Sequence, residues 1–404
     1  MSFGFSRGLE WWRDGHNVDG LRASYWNTFF RSLAFGMLGI YVPVFVYLKG
    51  LEVGDGWLFG VRWLLVYVIL VRVVTMLAVF PAAKFIDVKG FRWSVLLASL
   101  ISIGGFGSLV LVDRSIWWLL PAAVMTGLEI ALYWIPRLSM NVSDGHKSNI
   151  GWEIGMRNLI DRGVAVLGPF AGGMIVSLWG FGVLFALGIV VLIMSTLPLF
   201  FMSKHEHKDG VKLSAFLKFI KKDRISALSF VGHGMSDVTV GWVWPLFVFV
   251  VVGGVRELGA VTSAVLVVSM LGVWVASRSF DRLRSLGGEE DEKMYVSANI
   301  LTAVMMFIRG FARNIWMVFG LDLVYQVVFP LMVIPLHGYV YTLAEREGEV
   351  QVFSYREFLY SAGAVFASVL SIGLIGLAGG WQLVFMLGSL GLLVNIKMKK
   401  ESNH

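Results

Sequence analysis

Cysteine is absent from the 404 residues, which removes disulfides and thiolate metal sites. Charge is scarce too: Asp, Glu, Lys and Arg make up 15% of the chain, against about 25% in soluble domains, so an ordinary soluble globule is excluded. There is no Gly-x-x-x-x-Gly-Lys-Ser/Thr phosphate cradle, no His/Glu cluster at metal spacing and no nucleophile elbow. The chain is therefore not read as an enzyme, and neither a cofactor nor a metal is expected. A small-residue cleavage site is also missing behind the charged start that holds Arg7, Glu10, Arg13, Asp14, Asp19 and Arg22. The first apolar run, from near Ala23, is long enough to span a bilayer and is expected to stay as a membrane helix.

What is present is apolar: 57% hydrophobic residues and a mean hydropathy of +0.74. Runs of about 20 apolar residues match a hydrocarbon core about 30 Å thick, inside which only helices or closed barrels satisfy their backbone groups. The runs are continuous rather than alternating, so an all-α membrane protein follows. Twelve spans are expected, near 23–48, 58–82, 93–112, 116–140, 155–178, 181–201, 225–252, 258–280, 294–312, 315–341, 356–378 and 381–396. Six lie on each side of one long polar interval, Met202 to Arg224. The expected units are 1–201, a linker 202–224 and 225–404. In the linker, Leu213, Phe216, Leu217 and Ile220 recur at helical spacing among Lys212, Lys218, Lys221 and Lys222, which predicts an interfacial amphipathic helix that attaches to anionic lipid.

The net charge of +7 is a matter of topology rather than of nucleic-acid binding. Lys84, Lys89, Arg92, Arg137, Lys147, Arg278, Arg282 and Lys293 fall in loops on one side, together with the linker and the C-terminal lysines. The other side carries little beyond Lys49, Arg62, Arg114, Arg256 and Arg313. Positive charge marks the cytoplasmic side, so both termini are expected to be cytoplasmic in a cell membrane.

The two blocks repeat each other. Ile116-Trp117 returns as Ile315-Trp316, Ile135-Pro136 as Ile334-Pro335 and Met156-Arg157 as Tyr355-Arg356, each shifted by 199. Gly39-x-x-x-Pro43 returns as Gly241-x-x-x-Pro245, shifted by 202, and Leu184 to Gly188 as Val384 to Gly388, shifted by 200. Two parallel six-helix halves joined by a linker describe a carrier that binds solute near the midplane between rocking halves. In this architecture, and in two local motifs, the chain resembles the major facilitator superfamily (MFS fold).

The first motif, Ala83 to Arg92, is similar to that family's signature between spans two and three, and Ser277 to Arg282 is a degenerate second copy. Gly90 permits the tight turn, and Asp87 can accept hydrogen bonds from a helix N-terminus or an arginine. Val88 and Phe91 stand where the family usually has basic residues. The resemblance implies a cytoplasmic gate of Asp87, Lys89, Gly90, Arg92, Arg157, Asp281, Arg282 and Arg356, with Asp87 near Arg356 and Asp281 near Arg157. The second motif, Gly168-Pro169-Phe170-Ala171-Gly172-Gly173, is similar to an element that the family associates with proton-exchanging exporters. Its proline bends the helix and its glycines allow close packing against the other half.

Charges within spans are costly unless paired or hydrated. Arg31, Glu129, His233, Asp237 and Asp322 fall on spans one, four, seven and ten, which line the cavity in this architecture; Tyr133, Tyr325 and Gln326 add polar lining. His233 and Asp237 lie four apart on one face, where the carboxylate can tune the imidazole. Arg72, Asp161, Arg162 and Arg309, on flanking spans, are read as ion pairs within one half, and His337 as a solvated or capping residue. The leading expectation is a monomeric, proton-coupled secondary transporter of a small solute, with export favoured. One alternative is an anion carrier that uses Arg31 and His233. The other is a non-transporting scaffold or sensor that keeps the fold.

Overall fold

A computed structural model describes residues 18–143, 163, 166–201, 210–211, 213–286 and 289–395, and every regular element among them is helical. The first half contains α1 (Val18–Leu38), α2 (Tyr41–Val53), α3 (Trp57–Lys89), α4 (Phe91–Leu111), α5 (Leu119–Ser143) and α6 (Leu167–Thr196). A short linker helix, α7 (Leu213–Lys222), leads to α8 (Arg224–Asp237), α9 (Trp244–Val252), α10 (Val255–Leu286), α11 (Glu289–Arg309), α12 (Ile315–Glu347), α13 (Glu349–Leu374) and α14 (Gly380–Leu393). Eight helical stretches are long and apolar enough to cross a membrane, and Tyr295–Arg309 and Gly380–Leu393 are shorter apolar helices. The long stretch from Leu167 holds two spans, because Gly180 turns it with φ 84°, a left-handed conformation that a side chain would resist. With that division, the two shorter helices and α10, the described residues fit a multi-pass membrane protein of twelve spans.

The internal repeat is visible as matched breaks. Proline lacks an amide hydrogen, and its ring collides with the carbonyl four residues earlier. In span one that carbonyl belongs to Gly39, and the helix stops at Leu38 and resumes at Tyr41, just before Pro43. In span seven it belongs to Gly241, and the turns from Val238 to Val243 widen into a π-helix before Pro245. Both repeats also use a glycine at the same contact. A side chain on Gly188 would strike Leu38, and one on Gly388 would strike the Thr239 side chain. Trp117 and Trp316, matched by the repeat, are 78% and 80% exposed at the starts of spans four and ten, as interfacial anchors are.

The halves meet along α3 with α13 and along α6 with α10. At the end that carries α7, the rings of Phe80 and Phe358 lie 5.8 Å apart. At the opposite end Trp57 stacks on Trp381 at 6.0 Å, and Arg62 Nε donates to the Ile372 carbonyl at 3.2 Å. The halves thus touch at both ends.

The linker helix differs from the expectation. Part of its apolar face is covered by protein, because Phe216 and Phe219 are buried. Phe216 meets Phe80 of the first half and Tyr355 and Phe358 of the second, and Phe219 meets Phe230 and Tyr355. Leu217, counted on the apolar face, points outward instead and is 55% exposed. An aromatic side chain gains more from this ring cluster than from a polar interface, which is why α7 docks. Lys222 Nζ ties its end to Glu347 at 2.6 Å, and that hydrogen bond holds the ammonium above its ordinary pKa.

Candidate functional site between the halves

Helix α8 approaches α13 closely because both lack side chains at the crossing. A Cβ on Gly234 would run into the Tyr360 carbonyl, and one on Gly363 into the Val231 carbonyl. This approach sets the His233 ring 5.4 Å from the Tyr360 ring and brings Asp237, one turn on, to the seam with α3. There Arg72 Nη2 donates to Asp237 Oδ2. Arg72 Nη1 also lies 3.8 Å from Glu357 Oε1, and Arg356 Nη1 lies 3.6 Å from Glu357 Oε2. Both guanidinium carbons sit over the Tyr360 ring, at 5.1 and 5.4 Å. Two cations, two carboxylates and one aromatic face make a compact cluster of zero net charge, the condition under which buried ions are tolerated. Arg72 and Glu357 are buried, whereas the Asp237 side chain keeps 26% exposure.

Arg72 therefore corrects the expectation of a pair within one half: its partner is Asp237, in the other half. Asp237 is accordingly engaged with Arg72 rather than left to His233. Glu357 was not singled out from the sequence. Its signal was an acid one residue inside an apolar span, next to the repeated arginine.

Two further pairs stay within single halves. Arg31 donates to Glu129, with its guanidinium carbon 3.6 Å from the Tyr133 ring and 4.6 Å from Phe35. Arg31, Glu129 and Tyr133 thus come together. Arg309 pairs with Asp322, its guanidinium carbon 3.8 Å from the Tyr325 ring and 4.0 Å from Trp244. Arg309 is the intra-half pair expected of it, and Asp322 is its partner rather than an open lining residue. All four members are buried. In both pairs aromatic faces cover the guanidinium and reduce the cost of taking it out of water. Arg31 Nη1 has no hydrogen-bond acceptor among the described residues. Gln326 is half-buried on α12.

The Gly-Pro element lies at the other seam. Pro169 supplies no amide hydrogen, and the backbone around it is served by hydroxyls from both halves. Tyr41 donates to the Pro169 carbonyl. Ser263, on α10, donates to the Val166 carbonyl at 2.6 Å and accepts from the Phe170 amide at 2.9 Å, so it is inserted into a helical hydrogen bond of α6. Gly168 abuts the backbone of Gly36 and Met37, Gly172 abuts Tyr41, and Gly173 abuts Tyr41 and the backbone of Val255 and Arg256.

Of the expected gate residues, Asp87 is half-buried on the last turn of α3, Lys89 is exposed and Gly90 makes the turn with φ 82°. Arg92 is half-buried on α4, its guanidinium carbon 5.8 Å from the Trp93 ring. The Arg356 ion pair is with Glu357 on its own helix. Arg157, Asp161 and Arg162 lie outside the described residues, and Asp281 and Arg282 lie in a stretch of α10 of which only the backbone is described. His337 is half-buried and lines a cleft with His233 and Arg356. No group of metal-ligating side chains occurs among the described residues.

No family model matches the chain. Over 242 residues it is 26% identical to the multidrug resistance protein MdtG of Salmonella typhi, and equally to that of Salmonella schwarzengrund. That stretch is 57% of this chain and 58% of the relative, so the match spans little more than half the relatives' length. Among solved structures, a D-xylose-proton symporter superposes with a TM-score of 0.70 at 13% identity, over 94% of this chain and 98% of that one. The human organic anion transporter MFSD10 gives 0.67 at 12% identity, over 95% and 99%. The Escherichia coli fucose:proton symporter FucP gives 0.65 at 9% identity, over 94% and 98%. These structures are of transporters, and none of the relatives reported is named as an enzyme. With two six-helix halves, matched helix breaks and this superposition, the chain has the fold of the major facilitator superfamily transporters.

Proposed function

We propose that the protein is a secondary active transporter that works by alternating access, moves protons against a small solute and favours export. The observation that carries this reading is the Arg72–Asp237 pair across the seam, with Glu357 beside it. Opening the end that carries α7 separates α3 from α8 and α13, so the pair must break in each cycle. Protonation of Asp237 removes one of the charges that hold it, and a carboxylate with 26% exposure keeps a route to water. Proton binding and opening are then one event. Export is favoured by the likeness to a multidrug resistance protein and by the Gly168-Pro169 element. The positive loops put both termini in the cytoplasm and the protein in the cell membrane, and 1–201 and 225–404 are the moving units. The gate around Asp87 and Arg356 belongs to the same end.

The test is uptake of a panel of amphiphilic drugs into inside-out vesicles energised by a pH gradient. Accumulation that collapses with an uncoupler supports the reading. Accumulation indifferent to the gradient for every drug that moves counts against proton coupling, and no movement of any drug counts against export of this class.

A second reading is an anion carrier that uses Arg31. Glu129 already neutralises Arg31, which weakens it; the unfilled Nη1 donor is the observation in its favour. Arg31→Lys would then lose organic-anion transport while keeping the buried pair.

A further inference from the structure

The cleft formed by α8, α12 and α13 lies beside the charge cluster but is built from other atoms. It is lined by Ser229, Phe230, His233, Leu336, His337 and Val340, with Arg356 at its wall. About 210 Å³ of space lies between these side chains, counting the open mouth. Most of it is the open mouth and only about 10 Å³ is enclosed, far below the roughly 300–1,000 Å³ of a drug-sized site, so only one small group could sit there, at the mouth. Two consecutive helices, α12 and α13, and the distant α8 each contribute a nitrogen-bearing side chain to the lining. A guanidinium is a fork of N–H donors, and each imidazole offers an N–H in either protonation state.

No carboxylate is among the lining residues. The nearest acid to Arg356, Glu357, lies 3.6 Å away and is shared with Arg72 at 3.8 Å, so it does not close the Arg356 fork. Ser229 is spent on Asn395, to which it donates at 2.5 Å. The rest of the wall is apolar, which strengthens any charge-assisted hydrogen bond made inside it.

We propose that His233, His337 and Arg356 form a binding site for one oxyanion group, a phosphate or a carboxylate. The site goes beyond the transport reading and does not rest on it, because occupancy is measured without transport. A free anion and the headgroup of an anionic lipid present the same chemistry to it.

The experiment uses the full-length protein in detergent micelles. Inorganic phosphate, acetate and short-chain phosphatidic acid are titrated separately, and the unfolding midpoint is followed. Saturable stabilisation by at least one of them is expected. His337→Gln and His233→Gln should each weaken it by about tenfold or more, as loss of one charge-assisted hydrogen bond does, and Lys221→Gln on the α7 surface should leave it unchanged. Stabilisation by the lipid alone assigns the site to a headgroup, and stabilisation by phosphate or acetate assigns it to a free anion. Failure of all three ligands to bind overturns the proposal, as does binding that survives the double His233→Gln, His337→Gln change. Should the variants not fold, the wild type decides. The ligand must shield His233 and His337 from carbethoxylation read by mass spectrometry, and unshielded histidines at saturation overturn the site.

Discussion

Arg72 and Asp237 are 165 residues apart in the chain and form one ion pair across the boundary between its two halves. Arg72 also approaches Glu357 of that same half, at 3.8 Å. The pair therefore combines a structural tie with a titratable group at the place where the halves must part.

Removing one partner strands the other charge. Arg72→Met and Asp237→Leu should each lower stability by about 3–5 kcal/mol, the usual cost of breaking a buried pair from one side. The double change Arg72→Met, Asp237→Leu should recover most of that loss, since the ions left behind, Arg356 and Glu357, are still paired with each other. Thermal unfolding of the four proteins of this cycle gives the coupling directly.

The approach of α8 to α13 depends on a missing side chain. Gly234→Ala puts a methyl group into the Tyr360 backbone carbonyl, which cannot swing aside as a side-chain tip would. An overpacked contact costs about 1–3 kcal/mol, and it should also move His233 and Asp237 away from the seam. Gly182→Ala, where a Cβ meets nothing within 4 Å, is the control and should be close to neutral. Comparing the two unfolding midpoints checks this.

Ser263 holds α6 from the other half through two hydrogen bonds. Ser263→Ala leaves the Val166 carbonyl and the Phe170 amide without that partner. Each such loss is worth about 1 kcal/mol, so amide exchange at Phe170 should quicken by roughly tenfold. Hydrogen-exchange mass spectrometry over α6 reads it, with α4 as the unaffected reference.

Phe216 is the anchor of the linker helix. Phe216→Ala removes ring contacts with Phe80, Tyr355 and Phe358 together. Truncating a buried Phe costs about 3–5 kcal/mol. The loss should appear as faster amide exchange in α7 while α4 and α5 stay protected.

How much of this was legible in the sequence follows the physics. Span positions and the fold class rest on long apolar runs and a near-constant repeat offset, and both survive folding because the bilayer imposes them. The glycine and proline pairs at Gly39/Pro43 and Gly241/Pro245 were read only as a repeat, although the helix breaks beside them were legible too, since proline acts on its own helix. Pairing was another matter. Arg31 with Glu129 and Arg309 with Asp322 need the distance between helices, which spacing along one helix does not supply. Arg72 was assigned to its own half because sequence reveals the span a residue sits on but not the face it turns. The docking of Phe216 and Phe219 on the protein was not anticipated for a related reason: an amphipathic pattern says that one face is buried, and not what buries it.

The central claim is that Asp237 couples a proton to the opening of the seam. Its most direct test is Asp237→Asn in proteoliposomes, with a solute identified in the vesicle screen. Gradient-driven accumulation should be lost, while solute-for-solute exchange at equal pH continues, because the amide mimics a permanently protonated carboxyl. Accumulation by Asp237→Asn at the wild-type rate and with the wild-type response to the pH gradient would contradict the account.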